Sequence, residues 1–171
     1  MATEHALVQL ARQTIESYVR DGKTIKPPQT LTEEMQHHAG VFVSLHRQGD
    51  LRGCIGTIEP VQKNVALEII SNAISAATRD PRFSPLRPNE LDDLEISVDV
   101  LTEPEPISSM DELDPKVYGV IVSSGGRRGL LLPDLEGIDT AQEQVQIALR
   151  KAWISPHDKY SLSRFKVIRY H

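Results

Sequence analysis

The sequence contains one cysteine, few aromatic residues and no long apolar run, and each shortage excludes a class of protein. Cys54 has no second cysteine to pair with, which excludes an internal disulfide, a zinc ribbon and an iron–sulfur cluster held by this chain alone. No apolar run approaches the roughly 20 residues that a membrane helix needs. Residues 1–5 have neither the basic start nor the apolar core of a signal peptide. We therefore expect a cytoplasmic protein that does not enter a membrane.

The sequence also lacks a surplus of basic residues. Its 171 residues include 19 lysines and arginines against 24 aspartates and glutamates, a net charge of −5, and aromatic residues make up 5%. Dedicated nucleic-acid binders usually carry excess positive charge and aromatic side chains on which bases stack. The composition therefore argues against a nucleic-acid partner. The length predicts a single domain over residues 1–171.

Hydrophobic periodicity predicts an α+β fold, with a mainly antiparallel sheet packed against about three main helices. Turn signals at Gly49-Asp50 and Gly125-Gly126 favour hairpins between neighbouring strands. The expected helices are Thr3–Asp21, Val61–Thr78 and a third from Asp139 or Thr140 to about Ile154. The expected strands are Val41–Gln48, Leu51–Ile58, Leu94–Leu101, Val117–Ser123, Arg128–Leu132 and Arg164–Tyr170.

The most unusual segment is Leu51–Thr57, which reads Leu-Arg-Gly-Cys-Ile-Gly-Thr. Glycines inside a strand let a ligand or another backbone approach closely. Alternation along a regular strand would place Arg52 and Cys54 on one face, where the guanidinium would favour a reactive thiolate or bind an anion. The alternative is a structural cysteine, because free cysteine often behaves as a small buried apolar residue.

Two further segments carry candidate binding residues. Arg79, Asp80 and Arg82 follow a predicted helix on a proline-rich loop, where they either form an anion or substrate clamp or simply cap the helix. Glu95 and Ser97 lie on the polar face of a predicted strand. That face is either solvated or, if it meets Cys54, makes Glu95 a candidate acid–base group.

The remaining motifs are weak. The stretch Ser124–Gly129 lacks the setting and the ending of a phosphate-binding loop, so we interpret it as a hairpin turn. His37, His38 and His46 have no metal-ligand spacing. We therefore expect no metal site and no bound cofactor.

Across residues 5–170 the sequence resembles the AMMECR-one domain family, whose bacterial and archaeal members are called AmmeMemoRadiSam system protein A. The resemblance rests on Gly40–Leu45, the Leu51–Thr57 motif, Asp80–Pro85, Glu90–Leu101, Arg128–Pro133 and the helix Asp139–Lys151. It implies a larger lobe and a small subdomain, with the Leu51–Thr57 segment near a cleft between them. It also implies two partners, a MEMO-type protein similar to extradiol dioxygenases and a radical SAM enzyme.

These observations support three hypotheses of function. In the first, the protein is an accessory or substrate-binding component that acts with those partners on an unknown small-molecule or macromolecular substrate. In the second, it is a thiol-dependent enzyme with Cys54 as nucleophile, Arg52 and the Gly53 and Gly56 amides stabilising an anion, and Glu95 moving protons. The third is an RNA-binding module. The candidate substrate-binding residues are Gly53, Gly56, Thr57, Arg79, Asp80, Arg82 and Ser97.

Overall fold

The computed structural model describes residues 3–171, and it divides them between two compact units. Among the described residues, the first unit is 3–100 with Ile168–His171, and the second is Leu101–Val167. Each unit has one four-stranded antiparallel sheet, and three of the helices have seven or more residues, which confirms the α+β class. A single domain and a cleft stay predictions.

Within residues 3–171 there are four α-helices and eight strands, together with short 3-10 helices at Pro88–Asp93 and Met110–Glu112. The helices are α1 Ala6–Asp21, α2 Glu33–Gln36, α3 Val65–Thr78 and α4 Ala141–Lys151. The strands are β1 Val41–Arg47, β2 Asp50–Gly56, β3 Leu94–Leu101, β4 Glu105–Ile107, β5 Gly119–Ser124, β6 Arg127–Leu131, β7 Ser161–Phe165 and β8 Val167–Tyr170.

The helix ends of the first unit follow local capping. The His5 side chain accepts the Leu7 N–H at the start of α1, so the predicted Thr3 cap is wrong, whereas Gly22 ends the helix at φ 67° as predicted. Helix α3 begins four residues later than predicted, because Asn64 accepts the Leu67 N–H and caps it there.

The sheet of the first unit has the strand order β2-β1-β3-β8. Gln48 and Gly49, with φ 52° and 83°, form the β1–β2 turn, one residue earlier than predicted. Helix α3 contacts β1 and β2. A Cβ at Gly53 would lie 2.3 Å from the Ala76 carbonyl oxygen, so α3 covers the face of β2 on which Gly53 lies. The core is therefore on that face, and the opposite face carries the polar residues.

The second unit has the strand order β4-β7-β5-β6, with α4 packed on β5 and β6. Thr140 caps α4, as one of the two predicted alternatives requires. The predicted strand Arg164–Tyr170 is wrong, because β7 ends at Phe165 and β8, after Lys166, joins the other sheet. No helix within residues 3–171 is both long enough and apolar enough to cross a membrane.

Candidate functional site

Cys54 lies in a row of three small polar side chains across the first sheet. Ser44 of β1 is paired with Cys54 of β2 on one side and with Ser97 of β3 on the other. Residues paired directly across antiparallel strands present their side chains on one face. The Cys54 sulfur and Ser44 Oγ are 3.2 Å apart, within hydrogen-bonding distance, and both Cys54 and Ser97 are only partly buried. We call these three residues the cysteine row.

A β-bulge creates this row. The register shifts between Leu45 and His46, so that Leu45 is paired with Gly53 and His46 with Leu51. Arg52 is the extra residue. Without it the hairpin would pair Ser44 with Gly53, and Cys54 would face the helix. The bulge therefore brings the thiol onto the polar face of the sheet.

The backbone of Cys54 is held by the loop that follows α3. β2 is an edge strand, and the Cys54 N–H donates to Asp80 Oδ2 at 3.0 Å. The Arg82 guanidinium donates to the Cys54 carbonyl at 3.3 Å. Two side chains thus satisfy the groups that a further strand would have bonded, which protects the edge and fixes the position of the cysteine.

Asp80 and Arg82 form a tight ion pair with unequal exposure. Asp80 is 4% exposed and accepts Arg82 Nε and Nη2 at 3.0 and 2.8 Å. Hydrogen bonds from Arg82 first, and from the Cys54 and Arg82 amides, hold the pKa of Asp80 far below its usual range. The Arg82 side chain stays more than half exposed, and the centre of its guanidinium lies 5.5 Å from the centroid of the Phe83 ring. Asp80 is therefore ionised, and a positive charge remains accessible beside Cys54.

Arg52 does not bond to the thiol. Its guanidinium donates to both carboxylate oxygens of Glu90 at 2.8 and 3.1 Å, and Arg47 donates to the same carboxylate at 3.0 Å. These contacts, with Arg52 as the largest cause, lower the pKa of Glu90 to about 2. Arg52 therefore ties β2 to the 3-10 helix Pro88–Asp93. Glu90 was not among the candidate site residues predicted from the sequence, since nothing in its spacing indicates contact with either arginine.

Thr57 and Gly56 have structural contacts. Thr57 Oγ1 donates to Glu68 Oε2 at 3.0 Å, and this carboxylate, 1% exposed, also accepts the Val61 and Gln62 amides at 2.7 and 2.9 Å. A Cβ at Gly56 would lie 2.2 Å from the Phe42 ring, so the aromatic ring covers that glycine. These contacts fix the end of β2 and the residue that follows it.

Glu95 lies at the open side of the polar face. It is exposed and is paired across the sheet with His46. A pocket of about 290 Å³ adjoins them, and Ser97, a member of the cysteine row, lines part of this pocket. The pocket is lined by His46, Gly49, Glu95, Ile96, Ser97, Arg169 and His171. Arg79, in contrast, is the C-cap of α3, where its N–H donates to the Ser75 carbonyl.

The structure therefore brings Cys54, Asp80 and Arg82 into contact and puts Ser97 in the same row. Arg52 and Thr57 bond to other groups. Ser44 was missed, because only the bulge sets it beside the thiol. Within residues 3–171 no group of three histidine, cysteine or acidic side chains is arranged to hold a metal ion.

Comparison with known proteins establishes the family. The AMMECR1 family model matches residues 8–171. A Thermotoga maritima protein is 54% identical over 173 residues, covering 99% of both chains. A Clostridium acetobutylicum protein is 53% identical over 95% of this chain, which spans only 35% of that longer relative. The crystal structure of an uncharacterised Pyrococcus horikoshii protein, 35% identical, superposes with a TM-score of 0.86 over 95% of this chain and 88% of that one. The chain therefore belongs to the AMMECR1 (AMMECR-one) family.

Proposed function

We propose that the protein is a substrate-binding, accessory component that holds its substrate on the cysteine row. The observation that carries this proposal is the fixed backbone of Cys54, gripped by Asp80 and Arg82. A rigid backbone beside an accessible polar surface suits a binding site, because little conformational freedom is then lost when the ligand binds. Gly53, Gly56 and Thr57 shape the strand, and Arg79 supplies a further cation on the same loop.

The surroundings of the sulfur favour binding over catalysis. An activated nucleophile commonly has a general base within hydrogen-bonding reach. Within residues 3–171, the side chain that bonds to Cys54 Sγ is that of Ser44, and no histidine or carboxylate does so. Ser44, Ser97 and the thiol offer donors and acceptors without a fixed charge. The Arg82 guanidinium adds a cation that can bind a carboxylate or phosphate.

The proposed partners are a MEMO-type protein and a radical SAM enzyme. Support for them comes from the sequence resemblance alone. In this arrangement the chain presents the bound substrate, and the partners supply the redox chemistry. The chain by itself then turns nothing over.

Ser97→Arg tests the proposal by filling the cysteine row with a long charged side chain. The two partner proteins encoded by the same genome are purified and mixed with the wild type or a variant. Retention is measured by size-exclusion chromatography. We expect the wild type to be retained and Ser97→Arg to bind at least about tenfold more weakly, a loss of roughly 1.4 kcal/mol.

Gln146→Arg is the matched control, because it adds the same charge on an exposed position of α4. It should bind like the wild type. Absence of any complex with either partner, or equal binding by Ser97→Arg, would reject the proposal.

A thiol-dependent enzyme is the second candidate. Its supporting observation is the exposed Arg82 side chain, whose guanidinium donates to the Cys54 carbonyl and could stabilise an anion formed beside the cysteine. In that mechanism Cys54 is the nucleophile, and Glu95 and Arg52 assist it. A Cys54→Ala variant that still binds the partners, but abolishes turnover by the assembled system, would favour this candidate over a purely binding role.

A further inference from the structure

Trp153, in the second unit, combines high exposure with a conformation that tryptophan rarely adopts. It exposes 84% of its surface, more than any other large apolar side chain described in residues 3–171. Its φ is 59°, in the left-handed region that favours glycine. Trp153 is also the only tryptophan of the chain.

The way in which α4 ends explains the positive φ of Trp153, but it does not explain why the residue there is tryptophan. The Trp153 N–H donates to the Arg150 carbonyl at 3.2 Å, and the Ile154 N–H donates to the Leu149 carbonyl at 3.0 Å. This pair of bonds is the Schellman motif, and Ile154 and Leu149 make its apolar contact inside the core. Trp153 directly follows the C-cap residue, Ala152, and the residue at that position is normally glycine in this motif. The indole therefore adds strain and contributes nothing to the core.

Three cations lie close to Trp153, either along the chain or in contact with its backbone. Arg127 Nη1 donates to the Trp153 carbonyl at 2.6 Å, and Lys151 Nζ donates to the Leu130 carbonyl at 2.8 Å. Arg150 lies in the last turn of α4, and both arginines are exposed. In the part of the chain that the structure describes, none of these three cations pairs with a carboxylate. We call Trp153, Arg127, Arg150 and Lys151 the Trp153 patch.

We propose that the Trp153 patch binds an acidic segment of a protein partner that also carries an apolar anchor. Tryptophan and arginine are the residues that contribute most to protein interfaces. The guanidinium groups can bind carboxylates through two parallel hydrogen bonds, while the indole covers an apolar side chain. This surface lies outside the cysteine row and does not depend on the function proposed for it.

The patch fits a polypeptide better than a nucleic acid. Nucleic-acid binders commonly neutralise about six to ten phosphates and stack several bases. Here three cations accompany one aromatic ring, in a chain of net charge −5.

Trp153 fluorescence provides the test, because no other tryptophan contributes emission. The folded protein is titrated with a capped peptide of about ten residues, made of glutamate and aspartate with one leucine and one phenylalanine, a length chosen for an extended strand to span the patch. We expect a saturable blue shift of the emission, and no shift with a peptide that has lysine at the acidic positions. An Arg127→Gln and Arg150→Gln double variant should bind about tenfold more weakly.

Arg20→Gln with Lys23→Gln removes two exposed cations elsewhere and serves as the control. Its affinity should match that of the wild type. Trp153→Gly should raise the folded-to-unfolded ratio about fivefold, since glycine adopts this backbone without strain. It should also lose the peptide, as measured by anisotropy of a labelled peptide.

Three outcomes would overturn the proposal. The first is no saturable binding of the acidic peptide. The second is binding of a single-stranded uridine oligonucleotide in place of the peptide, which would make the patch a nucleic-acid surface. The third is a Trp153→Gly variant that binds the peptide like the wild type.

Discussion

Asp80 links the position of the cysteine to pH. Its carboxylate is almost fully buried and accepts hydrogen bonds from the Cys54 amide and from Arg82. Because its pKa is lowered on folding, Asp80 stabilises the folded state fully above its unfolded pKa of about 4. That stabilisation is lost as the pH falls toward the folded pKa. At neutral pH, the carboxylate that holds the Cys54 backbone is therefore ionised.

Asp80→Asn should lower the free energy of unfolding at pH 7 by about 2 kcal/mol, because it leaves Arg82 and the Cys54 amide without their charged acceptor. The difference from the wild type should shrink as the pH falls below about 4, since Asp80 of the unfolded chain then takes up a proton that the folded carboxylate does not bind, which weakens the wild type. Urea unfolding at several pH values measures both effects.

Asp92→Asn removes an exposed carboxylate of the same unit and should change stability by less than about 0.5 kcal/mol. An Asp80→Asn deficit that stays constant down to acid pH would contradict the account given for this carboxylate.

Single residues of the site were predictable to different degrees. Cys54, Asp80 and Arg82 were identified from the sequence because their residue types carry chemistry. Ser44 was not, because the predicted Gly49-Asp50 turn pairs Ser44 with Ile55, and even the observed turn pairs it with Gly53 unless a bulge intervenes. A bulge depends on tertiary contacts, here including the salt bridge that holds Arg52 against Glu90, and leaves little trace in a single sequence.

At the scale of elements, each unit has a strand glycine at the point where a helix packs closely against the sheet. A Cβ at Gly53 would lie 2.3 Å from the Ala76 carbonyl oxygen of α3, and one at Gly129 would lie 2.4 Å from the Ala148 carbonyl oxygen of α4. In both cases the obstacle is backbone, which cannot rotate away. These glycines let each helix lie close against its sheet.

Gly53→Ala should therefore force α3 away from β2 and destabilise the protein by about 1–3 kcal/mol. The measurement is the urea midpoint together with the rate of Cys54 alkylation, which should rise as the edge of the sheet loosens.

Gly126→Ala is the matched control, because a Cβ there has open space and the residue has no positive φ. It should leave both values near those of the wild type. Equal effects of the two substitutions would show that the close approach at Gly53 is unimportant.

Element boundaries were predictable where local pattern decides them. The strict alternation of apolar and polar residues predicted the strand Leu94–Leu101, and both of its ends are confirmed. Helix α3 starts later than its apolar pattern suggests, because the buried Glu68 carboxylate accepts the Val61 and Gln62 amides. The break between β7 and β8 was missed, since alternation continues while the chain changes sheets at Lys166.

At the scale of the whole molecule, the last residues of the chain complete the first unit. The strand β8 joins β3, and Arg169 donates to both oxygens of the buried Asp99 at 2.7 and 2.9 Å. The His5 N–H donates to the His171 carbonyl at 2.9 Å, so the two ends of the described chain meet. The first unit is therefore discontinuous in sequence.

Removing residues 168–171 should destabilise the protein more than Arg169→Gln does. The substitution removes the ion pair with Asp99 but keeps the strand, and it should cost about 2 kcal/mol because the Arg169 side chain is half exposed. The deletion also removes the strand pairing and the contact with His5. Both free energies of unfolding are measured in urea, and equal values would mean that β8 adds nothing beyond its arginine.

This arrangement sets an order of events during synthesis. Residues 3–100 emerge first, but the sheet that they form lacks its fourth strand until β8 leaves the ribosome. The second unit, continuous in sequence, has all its strands beforehand. Closing a loop of the whole intervening chain slows such long-range pairing. The nascent protein therefore exposes the β3 edge while the second unit is being synthesised, and the cysteine row acquires its complete sheet only after Val167–Tyr170 have emerged.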